Sequence, residues 1–179
     1  MAMTLISTST ADGSANIAIT SGLDSTYKLY IIQCTNVNLV AANTNYLTHQ
    51  FSTDGGSSYG VATTSSFFRA YHYENDGGAD MSIMTGAFSL HQETVYQPWS
   101  DGLNNDNDAG FAATLWLFNP SNTTYVKHWY GRGVGDYGGI QLDSYPAGYV
   151  NTTSAVNAIN FKALTGNIDE GTFKLYGVG

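Results

Sequence analysis

Large apolar side chains in this chain recur at every second position in short runs. In Thr63–Tyr73, Phe68, Ala70 and His72 alternate with Phe67, Arg69, Tyr71 and Tyr73; over residues 110–118, Ala113, Leu115 and Leu117 alternate with Thr114, Trp116 and Phe118. A strand sends successive side chains to opposite faces, so this period describes strands with one face toward a core and one away from it. Further runs of this kind cover residues 4–8, 16–20, 27–37, 46–52, 81–85, 125–132, 140–149, 158–163 and 171–178. Between them stand clusters of Gly, Asn, Asp and Ser, the residues that supply positive φ or local side-chain turns. Helix evidence is weak: there are only three Glu residues and no sustained 3.6-residue period. Ten to eleven short strands spaced by turns predict an all-β fold, a two-sheet β-sandwich with a jelly roll preferred.

Turn chemistry predicts particular connections. Asp12-Gly13 joins the first two strands, Asp54-Gly55-Gly56-Ser57 reads as a hairpin turn, Asn75-Asp76-Gly77-Gly78 as another, and Asn119-Pro120-Ser121-Asn122 returns 110–118 to 125–132. Residues 27–37 lack a strong breaker and are placed centrally in a sheet. Residues 86–110 are less regular, with a short strand or helical turn at 88–95 and the longest loop at 100–108. Gly131, Gly133, Gly135, Gly138 and Gly139 read as a flexible connection. No linker or like-charge run divides the chain, so residues 1–179 form one domain.

Charge and cysteine content exclude several classes. Only 11% of the 179 residues are charged, against about 25% in an average soluble domain, while 13% are aromatic. The net charge is −8, from 14 acidic and 6 basic residues, which argues against nucleic acid and against an anionic membrane surface as partners. One cysteine, Cys34, rules out an intramolecular disulfide framework. Residues 1–6 lack the basic and apolar segments of a signal peptide, and no apolar stretch approaches the ~20 residues of a membrane-spanning helix.

Candidate chemistry is thin. Asn104, Asp106 and Asp108 fit the first, third and fifth positions of an EF-hand loop, but Ala109 replaces the required Gly and Leu115 the final Glu; a solvated loop or a non-EF calcium site remains. His49, His72, His91 and His128 are far apart and lack zinc-site spacing, so each reads as a buried or half-buried structural imidazole. Cys34 sits in the most apolar strand and reads as a small hydrophobe. Asp143, Asp136 and Glu74 could belong to a paired-carboxylate site only if folding brought two of them together. No metal site, cofactor or catalytic residue is assigned.

Residues 125–130 carry the sharpest candidate. Tyr125, Lys127 and Trp129 lie on one face of the predicted strand, His128 and Tyr130 on the other. If one face enters the core, the other offers aromatic rings with polar tips, suited to assembly contacts or to sugar rings; a strand buried on both faces is the alternative.

Several phrases carry a likeness: Met3-Thr4-Leu5-Ile6-Ser7-Thr8 with residues 17–25, Phe51-Ser52-Thr53-Asp54-Gly55-Gly56-Ser57-Ser58-Tyr59, the segment Leu117-Phe118-Asn119-Pro120-Ser121-Asn122 continuing to His128, and residues 166–177. As a set they resemble small structural proteins encoded by tailed bacteriophages, over nearly the whole chain. The resemblance implies a non-enzymatic virion component, a head-decoration or tail-fibre type appendage, with no catalytic residues to carry over. The expected partners are further copies of the chain, as a homotrimer, other virion proteins and a host-surface glycan. The competing class is a carbohydrate-binding module or adhesin.

Overall fold

The computed structural model describes residues 2–41 and 45–179. Its strands are β1 (Met3–Ser14), β2 (Ile17–Ile19), β3 (Leu29–Leu39), β4 (Leu47–Ser52), β5 (Thr63–Tyr73), β6 (Ala79–Met84), β7 (His91–Glu93), β8 (Gln97–Pro98), β9 (Phe111–Phe118), β10 (Lys127–Asp136), β11 (Ile140–Val150), β12 (Ala158–Ala163) and β13 (Ile168–Val178). They form two antiparallel sheets packed as a β-sandwich, as the alternation predicts. The sheets are unequal. Nine strands run β1-β13-β3-β9-β10-β11-β5-β6, with β7 also on β5, and four run β2-β12-β4-β8.

The core lies where the small sheet meets the middle of the large one. Ile159 and Phe161 of β12 and Leu47 and Phe51 of β4 pack with Tyr30 and Ile32 of β3, Leu115 and Leu117 of β9, and Phe173 and Leu175 of β13. Phe161 and Phe173 meet across the gap at 5.2 Å between ring centroids. Each such side chain contributes roughly 1.5–3 kcal/mol when fully buried. Cys34 is buried in β3, and burial pushes its thiol pKa up, so it behaves as the expected small hydrophobe. The expected central place for this segment also holds, since β3 runs between β13 and β9.

The expected turn at Asp12-Gly13 and the expected hairpin at Asp54–Ser57 are sheet-to-sheet crossings instead. β1 continues through Asp12 to Ser14 and pairs with β13, whereas β2 pairs with β12 in the other sheet. Likewise Asp54–Ser57 carries the chain from β4 in the small sheet to β5 in the large one. The turn itself forms as its residues dictate: Gly55 and Gly56 take φ of 73° and 88°, and the Asp54 carboxylate accepts bonds from the Ser58 N–H and the Ser52 hydroxyl. Local turn chemistry is silent about which sheet the next strand joins. Asn75–Gly78 and Asn119–Asn122 do make the expected hairpins, β5–β6 and β9–β10. Residues 86–93 supply both expected alternatives, a 3₁₀ turn at Gly86–Phe88 followed by β7.

The glycine-rich segment is a correction. Gly131, Gly133 and Gly135 belong to β10: Gly131 pairs with Leu115 of β9, Gly135 with Leu142 of β11, and Gly133 with both strands. They point inward, and the missing side chains admit large groups from the 99–111 segment. A Cβ on Gly131 would stand 2.6 Å from the Trp99 ring, and one on Gly133 would collide with Phe111. Glycine here is a packing device.

Candidate interaction surface

Cross-strand register fixes which side chains share the outer face of the large sheet. Leu115 and Leu117 of β9 point into the core, so Trp116 and Phe118 point out. From Trp116 the register runs through Ile31, Tyr176 and Leu5 in one direction and through Tyr130 and Ala147 in the other. A neighbouring row is Phe118, Leu29, Val178 and Met3. Further along the same face, Phe68 of β5 stands between Tyr145 of β11 and Ile83 of β6, and Ala70 pairs with Met81. Eight of the thirteen exposed large apolar residues among those described lie here: Met3, Leu5, Phe68, Met81, Ile83, Phe118, Tyr130 and Val134.

The rings on this face brace one another. Trp116 and Tyr130 stack at 4.8 Å and 19°, and Phe68 and Tyr145 at 4.6 Å and 9°. Phe118 tilts against Tyr130 at 5.8 Å. Stacked cross-strand pairs add about 0.5–1.5 kcal/mol beyond their burial and hold the surface in one shape. The face also has an internally neutralised charge pair. Arg132 Nε and Nη2 donate to the two Asp143 oxygens at 2.9 and 2.7 Å, and the Tyr145 hydroxyl donates to Asp143 Oδ2 at 2.6 Å. Partial burial works against the Asp143 charge, but the bonds from Arg132 and Tyr145 outweigh it and hold the carboxyl below its usual range. The same bonds raise the pKa values of Arg132 and Tyr145.

Five residues of the 125–130 segment were candidates, and the structure divides them. Tyr130 and His128 point outward, with His128 6.2 Å from the Tyr149 ring, and Tyr125 is 70% exposed just before β10. Lys127 and Trp129 are corrections, since both are buried and present nothing to a partner. Lys127 Nζ donates to the carbonyls of Tyr125 and Thr152 at 2.7 and 3.1 Å, satisfying two strand-end acceptors, and burial lowers its pKa. Trp129 stands edge-on to the His49 ring at 4.9 Å.

The other candidate chemistry resolves into structural roles. His49 is a buried core residue as expected, ringed by Phe51, Trp99, Trp129 and Phe161 at 4.9–6.2 Å. Neither of its nitrogens has a hydrogen-bond partner, and desolvation pulls its pKa down to about 3. His72, His91 and His128 are exposed, against expectation, because the sheet surfaces that carry them are uncovered. His72 Nε2 lies 3.3 Å from Asp76 Oδ1. In the 100–108 loop Asn104 Nδ2 donates to Asp106 and Asp136, Asn38 Nδ2 donates to the Asp106 carbonyl, and Leu103 is buried. Among the described residues no three His, Cys, Asp or Glu side chains gather as a metal site would require. Asp143 and Asp136 are each held by hydrogen-bond donors of neighbouring strands and loops.

Trp116, Phe118, Phe68, Met81 and Ile83 belong to the surface without having been singled out from the sequence. Alternation separates the two faces of their strands, yet both faces carry large side chains, so the pattern alone does not say which is inward.

Comparison with known proteins adds little. No protein-family model matches the chain, and no curated protein does. Among solved structures, a Bacteroides ovatus protein of unknown function from structural genomics shares 7% identity at a TM-score of 0.27, covering 57% of this chain and 45% of its own. The infectious bursal disease virus VP2 subviral particle shares 11% identity at a TM-score of 0.15, covering 99% of this chain and 41% of its own. The chain spans less than half the length of either, and likenesses at these scores carry no argument.

Proposed function

We propose that this chain is a non-enzymatic structural subunit of a virion of the tailed-bacteriophage kind, an exposed head-decoration or tail-appendage component that works through contacts with its own copies and with other virion proteins. The observation that carries the reading is the uncovered outer face of the nine-stranded sheet, where apolar side chains gather on a chain otherwise poor in charge. A contiguous apolar surface of this kind marks an interaction site. The phage assignment rests on the sequence resemblance. The reading is tested by purifying particles from the organism that encodes the chain, determining their protein composition by mass spectrometry and locating the chain by antibody-labelled electron microscopy. Detection on heads or tails supports it, and particles that contain none of the chain overturn it.

A second reading, recognition of a host-surface glycan, has one observation in its favour. An open groove of about 560 Å³ crosses β3, β9 and β10 and is lined by Trp116, Arg132, Gln33 and Thr114 among others. An aromatic ring beside amides and hydroxyls suits a neutral sugar. Polysaccharide retention that is lost in Trp116→Ala would favour this reading.

A further inference from the structure

We infer that the outer face of the large sheet, between β1 and β6, is covered by another copy of this chain. The inference rests on the assembly reading above and deepens it by naming the surface and its occupant.

Area is the first argument. The eight exposed apolar residues on this face are between 39% and 75% exposed. At about 150–250 Å² for a large side chain they present roughly 800 Å² of apolar surface. That exceeds the ~300–600 Å² of the largest patch on a typical monomer, and it matches the ~800 Å² that each partner contributes to a stable protein–protein interface.

Charge selects the occupant. The chain carries a net −8, so most faces of one copy repel most faces of another. The outward positions of the sheet between β1 and β6 hold the cations Arg132 and Lys174 and the anions Asp143 and Asp136. Arg132 and Asp143 neutralise each other in a two-bond pair, and Asp136 accepts bonds from Asn104 Nδ2 and the Gly139 N–H. Further acidic residues lie at the margins, in the 101–108 loop, in the β5–β6 hairpin and at the far end of β1 and β13 around Asp12, Asp169 and Glu170. Two copies can therefore meet over the Arg132–Asp143 pair without burying either charge unpaired, and the acidic character of a second copy suits Lys174, the cation of this face that has no ion pair among the described residues. A nucleic acid or an anionic surface finds no positive field to bind.

Rigidity is the third. The Trp116–Tyr130 and Phe68–Tyr145 stacks fix four rings before any partner arrives, which lowers the ordering cost of association.

The test substitutes the middle of the patch and its β6 end. Phe118 on β9 and Ile83 on β6 are four strands apart, about 19 Å. Phe118→Lys and Ile83→Lys, singly and together, are compared with Leu164→Lys and Val95→Lys, exposed apolar positions off this face. Mass is read by sedimentation equilibrium, and folding by circular dichroism and melting temperature. The expected result is a wild type at a multiple of 19.2 kDa, unchanged by the two control substitutions. Each outer-face substitution should weaken association by about thirtyfold or more while the chain stays folded. Outer-face variants that remain folded and associate as the wild type does overturn the assignment of this face and leave the assembly reading standing. If an outer-face variant does not fold, Tyr130→Ser and Met81→Ser replace it, and the same two outcomes apply. A wild type that stays at 19.2 kDa at every concentration overturns the inference, and its retention by a polysaccharide would overturn the assembly reading with it.

Discussion

Acid should loosen this sandwich through one residue, His49. Its imidazole lies in the core between the sheets, contacts four aromatic rings and has no hydrogen-bond partner for either nitrogen. In the folded chain it takes up a proton only near pH 3, against 6.5 for an ordinary histidine. Between those values the unfolded chain binds a proton that the folded chain refuses, so stability falls as pH drops below about 6.5. Linkage gives a loss of about 2 kcal/mol at about pH 5 and about 3 kcal/mol at about pH 4, a large part of a typical 5–15 kcal/mol. The Asp54 carboxyl, held at about 2 by hydrogen bonds from Ser52 and Ser58, keeps its stabilisation down to about pH 5 and loses it below, so the comparison is made between neutral pH and about pH 5. The assay is urea unfolding at one protein concentration, followed by tryptophan fluorescence at neutral pH and at about pH 5. His49→Leu keeps the volume and removes the titrating group, so the wild type should lose about 2 kcal/mol more than the variant across this range. Equal slopes for the two proteins, or a flat wild type, would show that the surrounding rings hold the imidazolium as well as water does, and the reasoning from desolvation would be wrong.

Three further outcomes follow from the geometry. Gly133→Ala should cost about 1–3 kcal/mol by driving a methyl into Phe111, with a lowered melting temperature as the readout. Removing the Lys127 ammonium in Lys127→Ala should destabilise by about 2–3 kcal/mol in chemical denaturation, because two carbonyls lose a charged donor. Asp143→Asn should lower the titration point of Tyr145 in an ultraviolet pH titration, since the hydrogen bond to the Asp143 carboxylate is the largest cause of its raised pKa.

The class of the fold was legible because it is local. Alternation in residues 63–73, 110–118 and 158–163 and the turn residues between them are readable within a dozen positions, and these three strands stand where they were expected. Pairing is another matter. β1 lies against β13 at opposite ends of the chain, and β2 against β12, and nothing in residues 4–20 encodes those distant partners. Gly131, Gly133 and Gly135 read as flexible because their reason is elsewhere, in the rings of Trp99 and Phe111 that fill the space they leave. The candidate site was half legible for a related reason. The sequence of β10 separates Lys127 and Trp129 from His128 and Tyr130, but each face carries a tryptophan or a tyrosine. Only the position of the small sheet, with His49 against Trp129, decides that the first pair goes inside. Lysine at a buried position runs against its usual preference, and two unpaired carbonyls at the strand ends explain it.

The outer face of a nine-stranded sheet is the feature on which the functional account depends, and the mass of the unmodified chain in dilute solution tests it most directly. Sedimentation equilibrium at micromolar concentration should give a multiple of 19.2 kDa. A species that stays at 19.2 kDa at every concentration reached would contradict the account.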